Sequence, residues 1–249
     1  MISILLSGCN GNMGKTVTEY LAERNDCVIS AGVDLTSDSH GGYTVFTDFS
    51  DVVVDFDVIL DFSVATALDS LLEFAVKSKK PLVICTTGYS DEQILAINQA
   101  AKTIPVFFSY NMSLGISLLT DLAVKAAKVL GDDFDIEIVE KHHNKKIDAP
   151  SGTAYKIAEA INGSANERYN YKFDRHSSRA KRDKNEIGIH SVRGGTIVGE
   201  HEIIFAGNDE VLTLSHSAYS KRIFACGAIN AVKFLADKDA GIYSMSDLV

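Results

Sequence analysis

The chain has 249 residues, enough for one large domain or two smaller ones with buried cores. Hydrophobic residues make up 46% and charged residues 23%, as in ordinary globular proteins, and no apolar run is long enough to predict a membrane span. The formal net charge of −9 argues against a general nucleic-acid binder, because phosphate groups are neutralised by a basic face. Four scattered cysteines without a C-x-x-C pair predict reduced thiols and a cytoplasmic location rather than a zinc site or a disulfide framework.

The first half of the chain alternates short apolar runs with helical patterns. The runs that predict strands are ISILLSG, CVISAGVD, DVILDFS, PLVICTT and IPVFFSYN. The segments that predict helices are KTVTEYLAER, VATALDSLLEFAVKSKK and SDEQILAINQAAK, and Ser90 and Gln93 have capping-box spacing at the start of the last one. Strands separated by helices predict a Rossmann-type α/β domain, with a doubly wound parallel sheet covered by helices on both faces.

The pattern changes after about residue 112. A long helix is predicted from Leu114 to Leu130, ending at Gly131, and FDIEIVE then alternates apolar and acidic residues as a half-buried strand does. From Ile187 to Ser217, strand-like runs follow one another through RGG and GND turns, which are typical of antiparallel hairpins. We therefore expect a second, α+β domain with an open mixed or antiparallel sheet.

Two further segments complete the predicted organisation. The amphipathic pattern RIFACGAINAVKFLAD predicts a last helix that returns to the first domain. We therefore expect a dinucleotide-binding domain of residues 1–112 and 221–249, and a substrate-binding and oligomerisation domain of residues 113–220. The polar stretch between Gly163 and Glu186 is predicted to be a surface loop without regular structure.

The segment SGCNGNMGK lies between the first strand and the first helix. Gly8, Gly11 and Gly14 let the backbone approach a pyrophosphate, at which the helix directs N–H groups and its positive dipole end. A tight turn without a ligand is the alternative, but Asp34, at the end of the second strand, has the position of a carboxylate that binds the adenine ribose. A carboxylate repels a 2′-phosphate and the next residue is Leu35, so we expect NADH as the preferred cofactor and NADPH as the possible alternative.

Two polar segments close later strands of the predicted sheet. They are CTTG at residues 85–88 and SYNM at residues 109–112. Ligands of doubly wound sheets bind beyond the carboxyl ends of the strands, which favours cofactor contacts here. Simple turn chemistry explains both segments equally well.

The stretch EKHHNKKIDAPSGTA contains a predicted helix start. Ser151 is suited to cap a helix over GTAYKIAEAIN that has Gly163 at its C′ position. Gly152 and Thr153 then lie in the first turn, where backbone N–H groups have no partner within the helix. The sequence therefore predicts a small anion site at this point.

Cationic groups come just before that site. His142, His143, Lys145 and Lys146 favour a small, multiply anionic substrate with one carboxylate at the helix end. Solvated surface residues and a metal site are the alternatives. Neighbouring residues of a strand point to opposite faces, so the two adjacent histidines are poor co-ligands, and we expect no metal. Core or surface roles are expected for the remaining strand histidines, which are His190, His201 and His216.

EKHHNKKIDAPSGTA closely resembles the signature of the dihydrodipicolinate reductase (4-hydroxy-tetrahydrodipicolinate reductase) family. The resemblance extends over the whole chain, through GCNGNMGK, DFS, TTG, NMS, RGGTIVGEHEIIFAG and GIYSMSDL. It implies an N-terminal Rossmann-type domain and a C-terminal α+β domain whose open sheet builds a homotetramer. It also implies an NAD(P)H-dependent oxidoreductase of lysine and diaminopimelate biosynthesis. Such an enzyme reduces the cyclic imine formed from 4-hydroxy-tetrahydrodipicolinate, a small dicarboxylate, to tetrahydrodipicolinate.

The resemblance also implies roles for individual residues. His142 matches the family's proton donor/acceptor and Lys146 its second proton donor, while His143, Gly152 and Thr153 match substrate contacts. The cofactor-binding positions correspond to Gly8, Cys9, Asn10, Gly11, Asn12, Met13, Asp34, Cys85, Thr86, Thr87, Ser109, Tyr110, Asn111 and Met112. Two residues depart from the pattern, since Cys85 stands where glycine is usual and Met112 where phenylalanine often is. Both departures bear on cofactor affinity rather than on the catalytic groups.

Two other functions are consistent with the first domain alone. Another Rossmann-type dehydrogenase would keep the glycine turn without needing the His-His-Lys and Gly-Thr cluster. A non-catalytic NADH sensor would bind the dinucleotide in its first domain and a partner through its second. A dense acid–base cluster in the second domain is unnecessary for a sensor, which favours the enzyme.

Overall fold

The computed structural model describes residues 1–177 and 179–248, which form two compact units. The first unit comprises Met1–Leu114 and Lys221–Val249, and the second comprises Gly115–Ser220. Within the described ranges, no helix has the length and apolar character needed to cross a membrane.

Both units are built from β-strands and α-helices, numbered in chain order. The strands are β1 (Ile2–Ser7), β2 (Cys27–Val33), β3 (Thr44–Phe46), β4 (Val58–Asp61), β5 (Leu82–Ile84), β6 (Pro105–Phe108), β7 (Asp135–His142), β8 (Asn170–Lys172), β9 (Glu186–Arg193), β10 (Gly199–Ala206), β11 (Val211–Ala218) and β12 (Gly241–Tyr243). The α-helices are α1 (Asn12–Ala22), α2 (Leu68–Ser78), α3 (Asp91–Ala100), α4 (Leu114–Leu130), α5 (Gly152–Ser164) and α6 (Arg222–Leu235).

The sheet of the first unit is parallel throughout and has the order β12-β6-β5-β4-β1-β2-β3. Alternate residues of β1 face opposite sides of it. Ile4 and Leu6 belong to a core with Val17 of α1 and Val232 of α6. Leu5 belongs to a second core with residues of α2 and α3. Helices therefore cover both faces, and the predicted doubly wound parallel sheet is confirmed.

Two edge strands of this sheet are not predicted by the sequence pattern. β3 pairs with β2, and β12 pairs with β6. Each has only three residues, which is too short to show an alternating pattern.

The predicted helix start at Ser90 is correct, because Ser90 and Gln93 form a reciprocal capping box.

The sheet of the second unit is mixed and has the order β11-β10-β7-β9-β8. One face packs on α4 and α5 through a core that includes Ile116, Ile138, Ile157, Ile189 and Ile203. β7 shows the predicted alternation, since its buried residues recur at every second position. The expected α+β architecture with an open mixed sheet is thus confirmed.

One predicted hairpin is wrong. β10 and β11 form the hairpin expected around the GND turn, but β9 and β10 are not neighbours, because β7 lies between them and runs parallel to β9. The glycines of the RGG segment instead bind the end of β7 and the turn after it. Gly194 N–H donates to the carbonyl of His142, and the carbonyl of Gly195 accepts from Asn144 N–H. The segment is therefore a crossover connection rather than a tight turn.

Parts of the stretch between Gly163 and Glu186 have structure that the sequence does not predict. β8 lies within it and pairs with β9. Arg182 ties its later part to the sheet, because its guanidinium bonds the Glu137 carboxylate and the carbonyls of Ile136 and Glu186. The polar composition reflects these ion pairs, which a sequence pattern does not show.

The predicted end of α5 is also wrong. Gly163 lies inside the last turn rather than at the C′ position, because α5 continues to Ser164. The left-handed residues of the following turn are Asn166 and Glu167, and Glu167 N–H donates to the carbonyl of Asn162. A non-glycine turn thus ends the helix.

Candidate active site

The glycine turn after β1 is packed too closely for larger residues. Gly8 has φ +74°, and a Cβ there would lie 2.5 Å from the carbonyl oxygen of Phe62. A Cβ on Gly14 would collide with the carbonyl oxygen of Gly8 and lie 2.5 Å from that of Cys9. α1 starts directly afterwards with Gly11 as its N-cap, and no described side chain caps it. The turn therefore lets a ligand approach its backbone closely and places a helix N-terminus beside it. Both features suit a phosphate group.

Asp34 lies beside this turn. β2 ends at Val33, one residue earlier than predicted, so Asp34 begins the following loop. Its carboxylate accepts hydrogen bonds from the N–H groups of Asn10, at 2.8 Å, and Leu35, at 2.7 Å. Each carboxylate oxygen still has a lone pair for a ligand hydroxyl.

A cavity of about 300 Å³ opens next to Asp34. Its walls combine the glycine turn, the Asp34 carboxylate and several apolar side chains. The lining residues are Ser7, Gly8, Gly11, Val33, Asp34, Leu35, Thr47, Asp48, Phe49, Phe62, Ser63, Val64, Ala67 and Ser70. An apolar slot with a carboxylate at one side suits an adenine ring and its ribose.

A second cavity of about 370 Å³ shares two wall residues, Phe62 and Ser63, with the first. Its lining residues are Met13, Phe62, Ser63, Cys85, Thr86, Thr87, Tyr110, Met112, Lys221 and Phe224. The two cavities thus continue along the carboxyl ends of the strands, where a doubly wound sheet binds ligands. Together with the glycine turn between them, they fit a dinucleotide.

Most predicted cofactor residues line these cavities, but five of them do not. Cys9 is buried beneath the turn, and the Asn10 side chain donates to the Thr36 carbonyl. Asn12 is the first residue of α1. Ser109 and Asn111 bond each other, and Asn111 also accepts from Ser113 N–H. These residues shape the turns that carry the lining residues.

Asp61 has no role predicted from the sequence, although DFS was part of the resemblance. It is completely buried at the end of β4 and accepts hydrogen bonds from Ser7 Oγ and Thr86 Oγ1, both at 2.7 Å, and from Ser63 N–H at 3.2 Å. Burial raises the pKa of this carboxyl, and the hydrogen bonds from Ser63, Thr86 and Ser7 oppose the increase. Asp61 thereby ties together the ends of three strands that line the cofactor cavities. The sequence feature that could have indicated this role is the acidic residue at the end of the apolar run VIL.

In the second unit, His142 ends β7 beside a buried ion pair. Glu140 is completely buried, and its carboxylate accepts two hydrogen bonds from Arg193 of β9, at 2.7 and 2.8 Å. The same carboxylate lies 2.5 Å from His142 Nδ1. Burial raises the pKa of Glu140, but the bonds from Arg193 and its other partners outweigh burial and lower the pKa to about 2. Glu140 is therefore ionised next to the imidazole.

The N-terminus of α5 is anchored to the same carboxylate. Ser151 N–H donates to Glu140 Oε1 at 3.2 Å, and Ser151 Oγ caps the helix by accepting from Ala154 N–H at 3.1 Å. This is the predicted N-cap. A Cβ on Gly152 would meet no atom within 4 Å, so the backbone there is open to a ligand. An anion bound at this helix end would lie close to His142.

The turn after β7 carries the remaining cations. Lys146 N–H donates to the carbonyl of His143, and Lys146 Nζ lies 2.8 Å from Asp148 Oδ1. Lys145 is exposed, and Nδ1 of His143 is buried without a hydrogen-bond partner among the described residues. The cluster therefore combines one histidine in an ion-paired network with a lysine held by an aspartate.

The other strand histidines have separate positions. His201 is buried, with its Nε2 3.0 Å from Ser151 Oγ and its ring centroid 5.3 Å from that of His142. Burial and the nearby His142 lower the pKa of His201 to about 4, so it is neutral at ordinary pH. His190 bonds Glu137, and His216 packs on Gly115. Within the described ranges, no three His, Cys, Asp or Glu residues are arranged to hold a metal ion.

Comparison with known proteins agrees with this arrangement over the whole chain. Residues 2–112 match the family "Dihydrodipicolinate reductase, N-terminus", and residues 115–249 match "Dihydrodipicolinate reductase, C-terminus". The 4-hydroxy-tetrahydrodipicolinate reductase of Caldanaerobacter subterraneus subsp. tengcongensis is 50% identical over 249 residues, covering 100% of this chain and 98% of the relative. That of Clostridium botulinum is 48% identical over 250 residues, again covering 100% and 98%.

Among solved structures, the dipicolinate-bound dihydrodipicolinate reductase from Paenisporosarcina sp. TG-14 is similar in fold. It has a TM-score of 0.84 at 25% identity, and the match covers 100% of both chains. The matches extend across both units, including the glycine turn and the His142 cluster. The chain therefore belongs to the dihydrodipicolinate reductase family.

Proposed function

We propose that the chain is a cytoplasmic 4-hydroxy-tetrahydrodipicolinate reductase of lysine and diaminopimelate biosynthesis. It reduces 4-hydroxy-tetrahydrodipicolinate, via dihydrodipicolinate, to tetrahydrodipicolinate with NAD(P)H. The observation that carries the proposal is the anchoring of His142 and the α5 N-terminus to one carboxylate, that of Glu140. This arrangement puts a proton donor beside an anion site, which a dinucleotide sensor would not need.

The first unit has the residues to hold the cofactor. The turn from Gly8 to Met13 would bind the pyrophosphate, and Asp34 the adenine ribose. The segments from Cys85 to Thr87 and from Ser109 to Met112 would border the nicotinamide end. When bound, the dinucleotide supplies a hydride. The substrate carbon that receives it is conjugated and electron-poor, so negative charge develops on the substrate ring.

The second unit has the residues to bind the substrate and to relieve that charge. One carboxylate of the dianion would bind the backbone of Gly152 and Thr153, with His143 as a further contact. His142 and Lys146 would donate the proton that neutralises the reduced ring. Local cations raise the concentration of a dianion at the site even though the whole chain carries a net charge of −9.

The outer face of the second sheet supports assembly into a homotetramer. α4 and α5 cover the opposite face, whereas Val192 and Val211 on the outer face are 45% and 62% exposed. Val139 and Ile204, on neighbouring strands, extend this apolar strip at partial exposure. A sheet face of this kind is suited to pairing with another copy of the same chain.

The direct test of the proposed function is the consumption of NADH in the presence of the cyclic imine, made in situ by the preceding synthase. We expect absorbance loss that depends on both the chain and the imine, and tetrahydrodipicolinate as the product by mass spectrometry. Dehydrogenases that act on other carbonyl or imine substrates would leave the imine unreduced. Binding of NADH without any turnover of the imine would support the sensor instead.

The cofactor preference of this reaction depends on Asp34. We expect kcat/KM to be higher with NADH than with NADPH, because the carboxylate repels a 2′-phosphate and accepts hydrogen bonds from the ribose hydroxyls. Asp34→Ala should lower the ratio of kcat/KM with NADH to kcat/KM with NADPH by roughly 10-fold or more, since a hydrogen bond to a charged group contributes about 1.5–3 kcal/mol. Steady-state kinetics with both cofactors measure the ratio.

Asp38→Ala is the matched control for this test. Asp38 lies four residues further on, bonds Thr36 Oγ1 and does not line the cavity, so its removal should leave the ratio unchanged. Equal kcat/KM values with both cofactors in the unmodified chain would contradict the proposed role of Asp34.

A further inference from the structure

Glu140 has more contacts to the candidate site than an ordinary structural ion pair requires. Arg193 satisfies both of its oxygens through the two terminal nitrogens of the guanidinium. Oε2 nevertheless also contacts His142 Nδ1 at 2.5 Å, and Oε1 also accepts from Ser151 N–H. Four contacts from three different segments of the chain converge on one carboxylate that has no exposed surface.

The two nitrogens of the His142 ring have different surroundings. Nδ1 is held by Glu140, whereas Nε2 points toward Gly199 of β10, where a Cβ would lie only 3.1 Å from it. Glycine at this position leaves the Nε2 side clear. A hydrogen bond at one imidazole nitrogen fixes the tautomer and so determines which nitrogen exchanges protons with a ligand.

The titratable and charged groups around the His142 ring come from several elements. Lys146 is in the turn after β7, Arg193 is on β9, and His201 is on β10. Burial lowers the pKa of His142, Glu140 opposes this, and Lys146 and Arg193 lower the pKa further, so that it lies below its ordinary value. Among the described groups that act on the ring, Glu140 is the one that favours the protonated imidazole.

We infer that Glu140, fixed by Arg193, is a positioning residue for the proposed reaction, which holds His142 with Nδ1 protonated and couples it to the anion-binding end of α5. The inference rests on the proposed function for its catalytic consequence. Proton transfer then occurs at Nε2. The imidazolium gives its Nε2 proton to the reduced substrate and becomes neutral, while the other proton stays on Nδ1, hydrogen-bonded to the Glu140 carboxylate. The Glu140 carboxylate also accepts from Ser151 N–H. The distance between the proton donor and the α5 N-terminus, which would bind a substrate carboxylate, therefore stays fixed.

The test compares Glu140→Gln with Glu137→Gln. Glu137 lies three residues earlier on the same strand, and its carboxylate likewise bonds a histidine and an arginine, with 2.7 Å to His190 Nε2 and 3.0 Å to Arg182 Nε. It faces the other side of the sheet, away from His142. Both variants lose a carboxylate–histidine–arginine arrangement, but only Glu140→Gln removes the one that holds His142.

We expect kcat to fall about 10²-fold in Glu140→Gln, because the acid loses its fixed orientation, and to change little in Glu137→Gln. The pKa of His142 should fall in Glu140→Gln, since the group that raised it is gone. The basic limb of the kcat/KM profile should therefore move to lower pH. Glu140→Asp keeps the charge and should recover part of the loss.

A readout that needs no turnover separates this inference from the proposed function. Long-range proton–nitrogen correlation spectra, with His142 assigned from a His142→Asn variant, should show the Nδ1–H tautomer in the unmodified chain. Glu137→Gln should keep that tautomer, and Glu140→Gln should lose it. An Nε2–H tautomer in the unmodified chain, or an unchanged His142 titration in folded Glu140→Gln, would overturn the inference even in an active reductase. An inactive chain with the expected spectra would contradict only the proposed reaction.

Discussion

Lys146→Ala should lower kcat by about 10²- to 10⁴-fold, the range that a general acid contributes. Lys146 Nζ lies 2.8 Å from Asp148 Oδ1, which holds the ammonium on the turn directly after His142. Alanine removes both a proton donor and a positive charge at the place where the reduced ring becomes negative. The loss should be concentrated in kcat, because that negative charge develops in the transition state rather than in the bound substrate.

The neighbouring lysine provides the control for this substitution. Lys145 precedes Lys146 on the same turn and is exposed, so Lys145→Ala removes the same charge from the chain without removing the ion-paired ammonium. We expect it to change KM for the dianion slightly and kcat hardly at all. Steady-state kinetics with NADH and the imine measure both parameters. An unchanged kcat in Lys146→Ala would remove this lysine from the mechanism.

The fold was predictable where the sequence of one segment is enough to determine its secondary structure. α4 begins and ends at the predicted residues, Leu114 and Leu130, because its apolar spacing is long and regular. The edge strands β3 and β12 carry no such pattern and were missed. The position of β9 depends on which strands pair. Pairing depends on the contacts of Gly194 and Gly195 with the end of β7, which are remote in sequence.

The residues of the candidate site were likewise predictable only where one segment of the chain contains them. His142, Lys146 and the Gly152–Thr153 helix end could be predicted, because they lie in one continuous segment with an unusual composition. Glu140 lies in that segment too, but the alternation of β7 makes it look like an ordinary strand residue. Its role becomes visible only when Arg193, which is 53 residues away, comes into contact with it. Asp61 is similar, because its partners Ser7 and Thr86 come from two other strand ends.

Gly14→Ala should destabilise the first unit and abolish tight NADH binding. The new Cβ would collide with the carbonyl oxygen of Gly8 and lie 2.5 Å from that of Cys9, and both are backbone atoms that cannot rotate away. The glycine turn must therefore shift relative to α1. Overpacking of this kind costs about 1–3 kcal/mol, and we expect the upper end because the backbone itself has to move. The same shift moves the N–H groups that would bind the pyrophosphate.

Gly163→Ala is the matched control, because it makes the same chemical change in another helix. Gly163 lies inside α5, where a Cβ would meet no atom within 4 Å. Alanine is a better helix former than glycine by about 1 kcal/mol, so this variant should unfold at a higher temperature while Gly14→Ala unfolds at a lower one. Calorimetric unfolding with and without NADH measures both effects. Stabilisation by NADH that survived in Gly14→Ala would show that the dinucleotide does not depend on this turn, and the proposed cofactor site would then be wrong.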